Sequence, residues 1–447
     1  PASGQPAPAA SPDAAPAANQ PPPPGLGDSN GTPGTAPTGF AGLAWGASAK
    51  SNPGLATYEV DQAASVTTCL WTRGPKDIAG APIREAFYER VSTEERVVLH
   101  RRIAETIEEQ CAEQIDRFVY DLAHHYSQAG VDDKSLRYSL QAAHKAKMNS
   151  AGAQAIELFS TARRILERQK RVAGGDYVEV MENLGEVCRL AGRLDESLEV
   201  FRICEPLIPV ADALHRAQLW GKMGETFWDK GDVDSSQEVL KRALKELGVN
   251  FRGGWMDIAL GVPRELIIQT LHMCFPAVFV KTEYVHDIRK LTIARLLHRN
   301  TYVYYFSNIR VSFLTFLSSL NIFETLGPCA DLANNYTGTC PVLGGLRMFG
   351  LVYRGLNKGL EISRSVGNKV TEGIVCAYWS FACYLTNRPS EGIVWSQKAI
   401  QLLRERGEYW DLGVAYVFLL YNRLINGGLH EGLREAKEMF SVMNRAG

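Results

Sequence analysis

The sequence lacks an excess of either charge. Lysine and arginine total 48 against 49 aspartates and glutamates, a net charge of −1 over 447 residues. A basic nucleic-acid binder and an acidic tail protein both need an uneven field, so no nucleic-acid partner is expected. Paired cysteine motifs are also missing. The nine cysteines (Cys69, Cys111, Cys188, Cys204, Cys274, Cys329, Cys340, Cys376 and Cys383) are odd in number and irregularly spaced. No C-x-x-C occurs, and no histidine pair at metal spacing follows a cysteine pair. Both facts speak against a disulfide framework or a zinc module. The cysteines are expected to serve as small apolar residues at helix interfaces, in a reducing, cytoplasmic setting.

Long uncharged apolar runs are scarce. Leu266 to Val280 is broken by Gln269, His272 and Pro276, and Thr301 to Phe323 by Asn308, Arg310 and Asn321. A spanning helix needs about 20 nearly uncharged residues, so both stretches are expected to be buried helices and no membrane span is expected. The first 40 residues have neither the basic region nor the apolar core of a signal peptide. Catalytic signatures are absent as well. There is no G-x-x-x-x-G-K-[ST], G-x-S-x-G or H-E-x-x-H pattern, and the glycine pair Gly344-Gly345 lacks the lysine a phosphate loop requires. No catalytic, cofactor-binding or metal-ligating residue is assigned, and no cofactor is expected. Asn30 and Asn335 begin glycosylation-type triplets, which arise commonly by chance.

Prolines are present but uneven: 12 of 21 fall in residues 1–57, where only Asp13, Asp28 and Lys50 carry charge. Such a segment cannot bury enough apolar surface to offset its ordering entropy, so 1–57 is expected to be disordered. Residues 58–115 change character. Tyr58 to Trp71 suits a strand, Ile83 to Val91 a short helix, and Ser92 with Glu95 a capping box opening the next helix. This combination suggests a small winged-helix-like remnant. The chain opens on Pro1 and stops at Gly447 after a repeat-like helix, and it is expected to be a piece of a longer protein.

From residue 116 on, an all-α chain is expected, built as a solenoid of tetratricopeptide-like helix pairs. In that repeat, small residues permit close helix crossings and large ones fill the space between. Trp220, Met223, Gly224 and Phe227 form one first helix, Gly231-Asp232 the turn, and Ser236, Leu240 and Ala243 the second helix. The preceding unit matches at 39 residues' offset: Met181, Leu184, Gly185 and Cys188, then Gly192, then Ser197, Phe201 and Cys204. Ala155, Phe159 and Ala162 mark an earlier second helix, and Gly392 and Ala399 align with Gly432 and Met439. The expected division is repeats over 116–250, degenerate apolar helices over 251–340, and truncated repeats over 341–447. A groove or interface is expected at Met181, Gly185, Trp220, Gly224 and Phe227. Trp228, Trp255, Trp379, Trp395 and Trp410 are expected to pack in cores or grooves. His124 and His125 are adjacent and face different sides of a helix, so they are not expected to chelate one metal. The basic stretches His100-Arg101-Arg102 and Arg163 to Arg171 are expected to be solvated faces.

One segment is more specific than the repeats. Ile83-Arg84-Glu85, Tyr88, Arg96, Leu99-His100 and Ile103-Ala104, followed by Leu122-Ala123-His124-His125-Tyr126, resemble the closing segment of the NTPase module in large signalling proteins of the soluble adenylyl cyclase type. Ala153 to Leu166 resembles that family's first repeat region, and residues 318–447 its distal repeats. The resemblance covers about residues 80–447. In such proteins the catalytic domains and the NTP-binding loop precede this point, so no catalytic residue carries over. The resemblance implies a non-catalytic regulatory region that contacts a protein partner or the protein's own catalytic domains. The alternative is a repeat scaffold of an NTPase-linked transcription regulator or protein kinase.

Overall fold

The computed structural model describes residues 91–149, 151–251, 254–405 and 409–446, with a two-residue antiparallel strand pair, Gly39–Phe40 (β1) and Leu43–Ala44 (β2). The expected strand at Tyr58 to Trp71, all of the expected Ile83 to Val91 helix but its last residue, and most of the proline-rich segment lie outside the described residues. The helices belong to one compact unit and the strand pair to another.

Nineteen α-helices are described. The first, α1 (Thr93–Gln110), opens on the capping box read from the sequence. Glu95 N–H donates to Ser92 Oγ at 3.3 Å, and Ser92 N–H donates to Glu95 Oε2 at 3.1 Å. A 3-10 turn, Ala112–Arg117, leads into α2 (Val119–Gln128). Three helix pairs follow: α3 (Asp132–Met148) with α4 (Gly152–Arg168), α5 (Gly175–Leu190) with α6 (Leu194–Cys204), and α7 (Ala213–Asp229) with α8 (Val233–Glu246). Within each pair the helices pack together, and α4 packs on α5 and α6 on α7 to extend the array.

The glycines explain the pairing. A Cβ on Gly185 would lie 2.6 Å from the buried Phe201 ring, and one on Gly224 would lie 2.7 Å from Leu240. Only a residue without a side chain lets these backbones approach so closely. The turns are Schellman caps. Gly231, at φ +81°, donates to Trp228 O at 2.9 Å, and Asp232 N–H donates to Phe227 O at 2.9 Å. Asp232 then caps α8 by accepting from Ser235 N–H at 3.1 Å. Gly192 makes the same turn one unit earlier at φ +75°.

The middle of the chain holds α9 (Trp255–Cys274), a short α10 (Pro276–Phe279), α11 (Ile288–Tyr305) and α12 (Ile309–Leu326). Then come α13 (Ala330–Thr337), α14 (Thr339–Gly345), α15 (Phe349–Ser365), α16 (Lys369–Leu385), α17 (Pro389–Arg404), α18 (Tyr409–Ile425) and α19 (Leu429–Ala446). Further packed pairs are α11 with α12, α16 with α17 and α18 with α19. The fold is thus all-α and tetratricopeptide-like. No helix among the described residues is long and apolar enough to cross a membrane.

Several cysteines sit at helix interfaces as expected, while Cys274 is exposed. Cys188, Cys204, Cys340, Cys376 and Cys383 are buried, and no disulfide joins the described cysteines. Burial pushes the Cys204 and Cys376 thiols up to about 12, so they stay neutral packing groups. The Asn335 triplet is not an accessible acceptor, because Asn335 is fully buried and donates to Ser319 Oγ at 2.7 Å.

One buried acid ties the later repeats together. Burial raises the Glu372 pKa, but hydrogen bonds from Lys369 at 2.9 Å, Arg364 at 3.0 Å and Lys398 at 3.2 Å outweigh it and hold the carboxyl at about 2. The ordinary value is 4.5. A folded pKa below the unfolded one contributes stability that is present above about pH 4.5 and lost as pH falls towards 2. Glu372→Gln is expected to cost on the order of 2–3 kcal/mol at pH 7. It should also flatten the acid limb of a stability–pH profile measured by urea unfolding. An unchanged profile would remove Glu372 from the acid response.

Candidate functional site

The five residues expected at a groove or interface pack inside the helix array. Met181 and Trp220 are fully buried, and Gly185, Gly224 and Phe227 are buried beside them. They are brought together as the inter-helix core, with Arg242 and Arg216 stacked over the Trp220 ring at 4.0 and 4.9 Å. The other tryptophans divide. Trp379 is buried and stacks on half-buried Trp395 at 5.1 Å, and Trp228 packs against the first core. Trp255 and Trp410 are instead exposed, which corrects the expectation of core packing for both.

Trp255 opens the most unusual helix of the molecule. In α9 the buried residues are Glu265 and His272, whereas Trp255 is 77% exposed, Leu260 71% and Ile267 63%. Phe275, Val278 and Ile288, which follow in the chain, are exposed as well. The expectation that Leu266 to Val280 is a buried helix is therefore overturned. Thr301 to Phe323 is split between α11 and α12 and is largely buried, except for an exposed stretch at 306–310 where Phe306 is 85% exposed.

The inversion has a local cause. Glu265 and His272 are seven residues apart and so share one face of α9. That face meets polar groups on α12. Asn321 Nδ2 donates to Glu265 O at 3.0 Å and to Glu265 Oε2 at 2.7 Å. His272 Nδ1 lies 2.7 Å from Glu324 Oε2. Tyr336 donates to Glu324 Oε1 at 2.5 Å, and Gln269 reaches Oε2 at 3.3 Å. Burial raises the Glu324 pKa, but the bonds from His272 and Tyr336 and the nearby Lys358 charge hold it below its ordinary value. With its polar stripe committed to α12, α9 turns its apolar residues outward.

Gly261 allows the close approach, since a Cβ there would meet Leu314 at 2.9 Å. A cavity of about 780 Å³ lies between residues 249–251, α9, α11 and α12. Phe251, Leu260, Ile268, Leu297, Leu314 and Ile322 form apolar walls, and Arg264, Glu265 and Asn321 supply polar groups. This arrangement can hold an apolar side chain or helix edge, and it offers contact rather than bond-making chemistry. Sequence reasoning missed it because α9 is apolar on several sides. The spacing of Glu265 and His272 was the one available signal.

Arg101 and Arg102 are exposed as expected, whereas His100 of the same stretch is buried. Arg101 is exposed and pairs with Glu105 at 2.9 Å, and Arg163 pairs with Glu167 at 2.7 Å. The histidines differ from expectation. His124 is exposed and His125 half-buried, but both meet His100 of α1. His100 and His125 place their Nδ1 atoms 2.7 Å apart. Burial, with His100 and His124 alongside, lowers the His125 pKa to about 4. The third imidazole comes from a different helix, α1, and lies against both rings.

The same junction explains the motif residues. Glu108 of α1 accepts from Tyr138 at 2.6 Å, and also from Tyr126 and Lys134. The Tyr126 and Tyr138 rings stack at 5.7 Å. Thus His100 and Ala104 of α1 pack with Leu122 to Tyr126 of α2, whereas Leu99 is exposed.

No family model matches the sequence, and no curated protein matches it. Among solved structures, the chain is similar to a signal transduction ATPase with numerous domains carrying a tetratricopeptide repeat sensor, from Pyrococcus horikoshii. That alignment has 12% identity and a TM-score of 0.42, and covers 81% of this chain but 48% of the other. A second similarity is to BtubC from P. vanneervenii, with 11% identity and a TM-score of 0.37, covering 57% of this chain and 91% of that one.

Proposed function

We propose that the chain is a non-catalytic, protein-binding regulatory region of a larger cytoplasmic signalling protein of the nucleotidyl cyclase type. The observation that carries the binding role is the outward apolar face of α9 and the segment after it. Contiguous exposed apolar surface on a soluble scaffold marks an interaction site. The cyclase assignment is supported by the motif residues alone, of which His100 and Ala104 pack with Leu122 to Tyr126. Regulation is conformational: the repeat array favours one arrangement of the catalytic domains through contacts that differ between states.

The test compares nucleotidyl cyclase output of the longer protein with and without residues 116–447. A changed basal or stimulated output is expected. Unchanged activity in both conditions would overturn the regulatory role. A coding sequence with no cyclase domains before residue 1 would favour the transcription-regulator or kinase scaffold.

A further inference from the structure

We propose that His100, His124 and His125 form a binding site for a divalent transition-metal ion of the zinc type, at the junction of α1 and α2. Each residue offers one ring nitrogen, and these three atoms lie within 4.8 Å of one another. The ring centroids are 5.6 Å apart for His100 and His124, 4.9 Å for His100 and His125, and 5.3 Å for His124 and His125.

The ligand set indicates the class of ion. Three imidazoles suit Zn²⁺, Co²⁺, Ni²⁺ or Cu²⁺, whereas Mg²⁺ and Ca²⁺ require oxygen ligands. Three protein ligands leave a fourth position of a tetrahedral ion for water. The burial pattern suits that arrangement: His100 is buried and anchors the site, and exposed His124 gives an approach from solvent.

Binding needs a small rearrangement. Metal–nitrogen bonds of about 2.0–2.1 Å at tetrahedral angles separate ligand nitrogens by roughly 3.3 Å. The Nδ1–Nδ1 contact of 2.7 Å must therefore open slightly. Its shared proton moves to the outer nitrogen of its own ring, so each neutral imidazole presents a lone pair to the ion. Arg96 acts electrostatically on His100 and opposes a cation, which limits affinity without blocking the site. A bound ion would clamp α1, which carries the Leu99-His100 motif, to the first helix of the array.

The test uses the full chain, freed of metal with a chelator and then titrated with Co²⁺ and with Zn²⁺. The expected result is one ion per chain, a visible Co²⁺ absorption of tetrahedral type, its displacement by Zn²⁺, and a higher thermal unfolding midpoint with Zn²⁺. Outer-shell substitutions weaken metal sites about 10–100-fold. Loss of a ligand in His124→Gln or His100→Gln should weaken binding at least that much. His124 is exposed, so His124→Gln is expected to keep the apo unfolding midpoint and separates ligand loss from misfolding. No 1:1 binding by the unaltered chain, or an unchanged Co²⁺ spectrum in both variants, would overturn the proposal.

Discussion

Trp220→Ala is expected to destabilise the helical array by about 3–5 kcal/mol, the usual cost of emptying a large buried aromatic site. Trp220 is 1% exposed and sits in a core that draws residues from α3 to α8 and from α11. Two effects adjust the figure. The indole Nε1–H is buried without a partner, a feature that itself costs about 1–3 kcal/mol and disappears with the ring. Against that, the Arg242 and Arg216 stacking is lost as well. The lower part of the range is therefore expected. Trp255→Ala should shift stability by no more than about 0.5 kcal/mol, because an exposed side chain leaves no cavity. Urea unfolding of the two variants decides between them. A Trp220 variant as stable as the unaltered chain would return that residue to the role of a surface contact.

This contrast shows what the sequence could reveal. Gly185, Gly224, Gly192 and Gly231 were legible because each meets a demand no other residue satisfies as well. Two must omit a Cβ at a helix crossing, and two adopt a positive φ. Ser92 with Glu95 was legible for a similar reason, since a capping box is local and has fixed spacing. The direction in which a repeat faces solvent was not legible. Helices inside a stacked array are covered on several sides, so the apolar positions that would line an inner surface are the same ones that fill the core. Met181 and Trp220 illustrate this. Nor could periodicity show that Glu265 and His272 mark the inward side of α9, because that depends on Asn321 and Glu324 more than fifty residues later. The convergence of His100 on His124 and His125 is equally a tertiary fact.

Glu324→Ala is expected to release α9 without unfolding the rest of the array. Glu324 and His272 are almost completely buried, and removing the acceptor leaves the His272 ring nitrogen buried without its hydrogen-bond partner, at about 1–3 kcal/mol. Tyr336 and Gln269 lose their acceptor in the same step. The loss should be local, because α9 buries polar rather than apolar side chains and rests mainly on α12. That contact is already imperfect: Gln269 Oε1 and Asn321 Oδ1 are buried without partners. Amide hydrogen exchange should therefore lose protection across 255–274 while 213–246, whose core lies elsewhere, keep theirs. Acid should act in the same direction on the unaltered chain. The Glu324 pKa is held below its ordinary value, so its contribution is present above about pH 4.5 and falls away as pH drops through the folded value. Because α9 carries the outward apolar face, freeing it should also weaken binding by that face. A Glu324→Ala chain with full protection over 255–274 would mean that apolar contacts, not the polar stripe, hold α9 in place.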